Sequence, residues 1–267
     1  MKATGIGWTH STVNGSSGCE GCELWNELTN TCYAGQMQEN RLALSLPDLY
    51  APNFFDIRLI PGRFAKAAKW GPPTAKEIEE KPWMKGLPRH IFVGDMGDFL
   101  STAVPDKYLE DELLAAIKSP QGSRHVWQLL TKRPKRLAEL SIKWHGLPSN
   151  VVGMTTVTSQ RTAEVRIPHL LATQCHTRGL SVEPLLEEVD LSKWLETGQI
   201  HWVIVGGESG KNCRPMDIRW VRKLRDQCAR FGVAFFFKQW GGLRKEAHGR
   251  LLDGRTHDEM PKLALAA

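Results

Sequence analysis

Apolar, β-branched and aromatic residues gather in six short runs, HIFVGDM (90–96), HVWQLLT (125–131), NVVGMTTV (150–157), RGLSVEP (178–184), HWVIVGG (201–207) and VAFFFKQW (233–240), with a weaker one, IGWTHSTV, at 6–13. These runs are nearly continuous in apolar character, as expected of strands covered on both faces. Between them the period changes to that of a helix. Over 106–118, Leu109, Leu113, Leu114 and Ile117 fall on one face, and over 217–231 Ile218, Val221, Leu224, Cys228 and Phe231 form a stripe. Asp217 is placed to cap the second helix and Gly232 to stop it. The six runs start 23 to 35 residues apart, the length of one strand plus one helix. The alternation predicts an α/β fold with a parallel sheet, open or curled into a barrel.

Two regions depart from the rhythm. Residues 47–90 carry seven of the fifteen prolines and read as an insertion of loops and short helices. The segment 241–267 is polar and glycine-spaced and reads as a surface tail. At 267 residues, with 41% hydrophobic and 24% charged positions, the chain is long enough for a full core without disulfides, and 1–267 reads as one domain. It has no apolar stretch of membrane-spanning length and no apolar leader at MKATGIGWTH, so the expectation is a cytoplasmic protein with no membrane association. The net charge is +6, but segment 211–255 alone holds twelve basic residues against four acidic ones. With Lys132–Arg136, that excess suggests a polyanionic partner.

Cysteine placement narrows the chemistry. Three of the six cysteines, Cys19, Cys22 and Cys32, fall within fourteen residues on a loop before an amphipathic helix at 34–46, while Cys175, Cys213 and Cys228 are scattered. In a reducing compartment such a cluster indicates metal or redox chemistry. Thiolates are soft ligands for zinc or iron–sulfur centres. Three ligands leave one position open for a small molecule. A structural zinc closed by His10 is the alternative. Cys228, on the apolar stripe, reads as core.

In parallel β/α folds, ligands gather at the carboxyl ends of strands. Those ends here read Gly94-Asp95-Met96-Gly97-Asp98, Thr131-Lys132-Arg133, Thr156-Val157-Thr158, Ser181-Val182-Glu183, Gly206-Gly207-Glu208-Ser209 and Lys238-Gln239. Their charges and hydroxyls mark a candidate functional rim.

The ordered strings GWTHSTVN, GCEGCELWN, CYAG, FVGDMGDFL, WQLLTKRPKRL, LSVEPLL, WVIVGGESG, CRPM, WVRKLRDQC, FFFKQWGG and GRLLDGRTHDEMP resemble, over nearly the whole chain, the bacteriophage-associated three-Cys-motif proteins, which are regarded as relatives of the radical S-adenosylmethionine (SAM) superfamily. The resemblance implies a partial (βα)6 TIM-like barrel with an additional C-terminal strand, and a [4Fe–4S] cluster on Cys19, Cys22 and Cys32 whose open iron binds SAM. It implies a 5′-deoxyadenosyl radical that abstracts hydrogen from a nucleic acid or nucleotide, in base modification or lesion repair. It also implies an electron donor and a separate partner protein. By the same likeness Gly94, Asp95, Met96 and Asp98 contact the SAM amino group, and Gly206, Gly207 and Glu208 lie against the adenine. Thr131, Ser181 and Glu183 join the cofactor site. Arg133, Arg214, Lys238 and Gln239 face substrate, while Lys132 and Cys213 are catalytic candidates, Cys213 as a hydrogen-atom donor. The spacing CxxCx9C departs from the superfamily's usual CxxxCxxC, and the aromatic Tyr33 follows the last cysteine instead of preceding it. A non-catalytic nucleic-acid-binding protein stabilised by zinc or an iron–sulfur centre is the alternative reading.

Overall fold

In a computed structural model, residues 4–210, 212–243 and 248–263 are described. Lys211, Arg244, Lys245 and Glu246, part of the basic segment, lie outside the described residues. The chain divides into two compact units, Met1–Glu80 with Gly86–Arg133 and Lys81–Lys85 with Pro134–Ala267.

The first unit holds β1 (Ser11–Val13), β2 (Ser16–Ser17), β3 (Arg58–Leu59), β4 (His90–Val93) and β5 (Val126–Thr131). β1 pairs parallel with β4 (Thr12 opposite Phe92), and β4 parallel with β5 (Phe92 opposite Gln128). β2 and β3 form a separate antiparallel pair. Every residue of β4 is buried, as its unbroken apolar run requires. The helix over 106–118 buries Leu109, Leu113, Leu114 and Ile117 on the predicted face.

The second unit holds β6 (Val151–Thr156), β7 (Thr177–Val182), β8 (Trp202–Gly206) and β9 (Ala234–Gln239). They pair in chain order and all parallel, with Thr155 opposite Leu180, Leu180 opposite Val203 and Val203 opposite Phe235. Helices Gln160–Ala172 and Ile218–Phe231 bury Ile167, Leu170, Val221, Leu224 and Cys228 in one core with Leu180, Val203 and Phe235. Asp217 accepts the Arg219 N–H at 2.8 Å and Gly232 closes the helix with φ 67°, so both predicted ends are observed. An N-cap of this kind is worth about 1 kcal/mol.

Residues 47–90 form short helices and loops, as expected of the insertion. They are fastened by Arg89, which is 1% exposed. Its five N–H groups reach Gly71 O (2.7 Å), Pro72 O (2.8 Å), Ser11 Oγ (2.7 Å) and both Glu77 oxygens (2.8 and 2.9 Å). Glu77 is itself set by a capping box, accepting from the Thr74 N–H at 2.7 Å.

The segment after Gly242 corrects an expectation. It is no loose appendage: Leu252 is fully buried, Asp258 bridges Phe236 in antiparallel fashion, and Phe237 N–H donates to His257 O at 2.9 Å. The backbone groups that β9 leaves unpaired as an edge are satisfied in this way. No helix among the described residues is long and apolar enough to cross a membrane.

Candidate metal and cofactor site

The three clustered cysteines sit on a loop shaped by backbone. Gly18, at φ 82°, adopts a conformation that favours glycine and turns the chain out of β2. Cys19 N–H then donates to Phe54 O at 2.8 Å. Cys22 and Trp25 exchange backbone hydrogen bonds at 2.9 and 3.1 Å, and Cys32 N–H donates to Leu24 O at 2.9 Å. The fold-back carries Cys32 to the stretch that follows Cys22, across the nine intervening residues. Cys32 also occupies the N-cap position of helix Tyr33–Met37, with no side-chain capping hydrogen bond. Cys19 is buried in an apolar cluster with Trp25, Tyr50, Phe54 and Met96, and Cys32 packs against that cluster. Burial pushes the Cys22 thiol above its ordinary range, against the pull of the Lys132 charge.

The Cys loop and the Gly94–Asp98 segment are joined. Gly18 and Gly97 form a parallel bridge, and a Cβ on Gly97 would collide with the Gly18 carbonyl. Met96 follows into the cluster that holds Cys19. Asn14 orients the segment, donating to Asp95 at 2.6 Å and accepting the Met96 N–H at 3.0 Å. Burial raises the Asp95 carboxyl above the usual range, against hydrogen bonds from Asn14 and Thr12. Burial, with the Asp95 charge adding, pushes Tyr33 up to about 12 and raises Tyr50.

Thr131, Lys132 and Arg133 leave β5 into the same region. The Asp98 carboxylate accepts from Thr131 Oγ1 (2.7 and 3.0 Å), Lys132 N–H (2.9 Å) and Leu100 N–H (3.0 Å), and pairs with Arg133 at 3.0 Å. Arg133 also pairs with Glu20, donates to Gly21 O at 3.1 Å and lies 3.9–4.0 Å from Cys19 Sγ. Asp98 and Arg133 thus pair with each other, and Arg133 also with the Cys loop. Asp95 is the acid of this segment not taken up by a cation in these pairings.

The remaining predicted residues belong to the second unit. Glu183 accepts from Ser181 at 3.1 Å and pairs with Lys238 at 2.8 Å. A Cβ on Gly206 would press on Glu183 Oε1 at 2.6 Å, and one on Gly207 would collide with Trp240 O. At both positions the close approach of neighbouring atoms favours glycine. Arg214 holds Glu208 through two side-chain donors at 2.6 and 2.8 Å and its own N–H at 2.9 Å. Gln239 donates to Ser209 at 3.3 Å. Cys213 lies half-buried on the loop before the helix. On that helix, Arg219 pairs with Asp217, Arg222 and Arg225 with Asp253, and Lys223 with Glu188. The basic segment therefore presents ion pairs at these positions, and exposed pairs of this kind contribute about 0–1 kcal/mol each.

All six cysteines are free thiols, and the donor set of the loop suits a thiophilic centre. As the side chains stand, no three Cys, His, Asp or Glu among the described residues are gathered to hold a metal ion. His10, the alternative fourth ligand, lies at the amino end of β1, where its Nδ1 accepts the His90 N–H at 3.0 Å. Sequence reasoning missed Glu20, Asn14 and Tyr50. Glu20 lies inside the CEGC string, where its spacing from Arg133 carries no local signal.

No curated protein and no solved structure matches the chain significantly. A family model described as "Protein of unknown function (DUF5131)" matches residues 3–261, and the chain belongs to that family.

Proposed function

We propose that Cys19, Cys22 and Cys32 hold a [4Fe–4S] cluster with one open iron, and that the protein is a radical SAM-like enzyme acting on a nucleic acid or nucleotide. The observation that carries this reading is the Gly18–Gly97 bridge, which seats the three-Cys loop against the glycine- and acid-rich end of β4. The parallel strand pairing within each unit is compatible with a partial barrel of the radical SAM type. Six free thiols suit a reducing, cytoplasmic setting.

When bound, the cluster with SAM supplies one-electron cleavage of the sulfonium and a carbon radical able to take hydrogen from substrate. The protein's own residues do the placing. Asp95 offers a carboxylate, oriented by Asn14 at 2.6 Å, to an ammonium group, a charge-assisted bond. Trp25, Phe54 and Met96 shield the Cys19 side from water. Lys132 supplies positive charge near Cys22. An external electron donor, and a separate partner protein, complete the proposal.

Anaerobic reconstitution tests it. We expect about four iron and four sulfide per chain, and 5′-deoxyadenosine on adding reductant and SAM, falling to background in Cys32→Ala. One tightly held zinc with no iron uptake would instead support the non-catalytic, nucleic-acid-binding alternative. The net charge of +6 supports the polyanion part. Oligonucleotide binding should weaken by orders of magnitude between about 50 and 200 mM salt if six or more phosphates are contacted. Binding indifferent to salt contradicts that substrate class.

A further inference from the structure

We infer that Arg133 is a positioning residue that fixes the Cys19–Cys22 turn and sets the reduction potential of the cluster proposed there. It does not serve as a contact for substrate. The inference rests on the cluster reading above and deepens it.

Arg133 is only 17% exposed on its side chain and is surrounded by acceptors: Glu20 on Nε, Asp98 at 3.0 Å, Gly21 O at 3.1 Å and Cys19 Sγ at 3.9–4.0 Å. Its partners are equally committed. Glu20 Oε2 accepts from Thr102 N–H (2.9 Å) and Thr102 Oγ1 (2.5 Å), and Asp98 accepts from Thr131, Lys132 and Leu100. A planar guanidinium in such a cage is pinned, and it pins the Cys loop to the strand ends of β4 and β5. The same cage places one positive charge 3.9–4.0 Å from Cys19 Sγ and two carboxylates on that guanidinium. Adding an electron to a thiolate-bound cluster grows costlier as nearby negative charge rises, and N–H donors to the sulfurs ease it. Without Arg133, the Glu20 and Asp98 carboxylates lose the cation they share, and Cys19 Sγ loses the guanidinium beside it.

The test is the midpoint potential of the reconstituted cluster, read by spectroelectrochemistry without turnover. Arg133→Gln should move it to more negative values by at least about 59 mV, a tenfold change in the one-electron equilibrium. Arg133→Lys, which keeps the charge, should restore most of the shift. Glu20→Gln, at a half-exposed position, should move it the other way. A role in tethering alone does not produce opposite signs from the two neutralisations. Shifts of the same sign, or none, overturn the electrostatic part. In metal-free protein, amide exchange over 18–25 should rise in Arg133→Gln, and unchanged exchange overturns the positioning part. Absence of iron uptake by the wild-type chain rejects the cluster reading instead, and leaves the exchange result to judge Arg133.

Discussion

Replacing Arg89 by leucine is expected to destabilise the protein by about 3–5 kcal/mol, the cost of stranding one member of a buried ion pair. That is a large share of a typical stability of about 5–15 kcal/mol. Arg89 is 1% exposed, and all five of its donors are used on Glu77, Ser11, Gly71 and Pro72. The lost side chain would leave Glu77, itself 6% exposed, as an uncompensated buried charge, and would release the insertion from β1. Urea unfolding measures the loss. The double variant Glu77→Gln, Arg89→Leu should recover part of it, since the stranded charge is gone. Acid titration gives an independent check. Hydrogen bonds from Arg89 hold Glu77 down to about 2 against an ordinary 4.5. A depressed carboxyl contributes stability above its unfolded value and loses it as pH falls toward the folded one. The wild type should therefore weaken between about pH 4.5 and 2, and Arg89→Leu should show a flatter profile there. A variant within about 1 kcal/mol of wild type, the range of exposed pairs, would show that the cage is not structural.

Gly97→Ala should uncouple the Cys loop from the end of β4 while leaving the strands intact. A methyl at Gly97 would collide with the Gly18 carbonyl oxygen, which is backbone and cannot rotate away. Overpacking of this kind costs about 1–3 kcal/mol, roughly five- to 150-fold in the population of the docked loop. Iron retained after reconstitution should fall accordingly, with the far-ultraviolet dichroism unchanged. Gly71→Ala is the control, because a Cβ there meets nothing within 4 Å. Equal iron retention in the two variants would remove the bridge as the organiser of the site.

The strands were legible because their sequence signal is global burial. The runs at 125–131 and 150–157 become β5 and β6, with their apolar residues buried except for the partly exposed Leu130. The helix at 217–231 was legible down to its caps, since Asp217 and Gly232 act locally. β2 and β3 were not, because two-residue strands carry no period. The tail misled because polar composition hides a pairing made largely by backbone: Glu259 N–H donates to Phe235 O at 3.3 Å and Phe237 N–H to His257 O at 2.9 Å, and the Trp202 side chain adds a bond from Nε1 to Glu259 O at 2.9 Å. At the candidate site, the Cys spacing and the Gly94–Asp98 and Thr131–Arg133 strings could be read separately. Their meeting in one region is what the rim reading expects, whereas the pairing by which Arg133 and Asp98 neutralise each other carries no signal in the sequence. The capping box Thr74–Glu77 was readable in principle from its three-residue spacing. Its buried partner Arg89, twelve residues on, was not.

A cluster on three thiols with one corner available to a ligand can be seen by low-temperature electron paramagnetic resonance of the anaerobically reconstituted, reduced protein. We expect a [4Fe–4S] signal that disappears when Cys19, Cys22 or Cys32 is replaced and changes shape when SAM is added. A protein that takes up no iron, or a signal that stays the same with and without SAM, would contradict it.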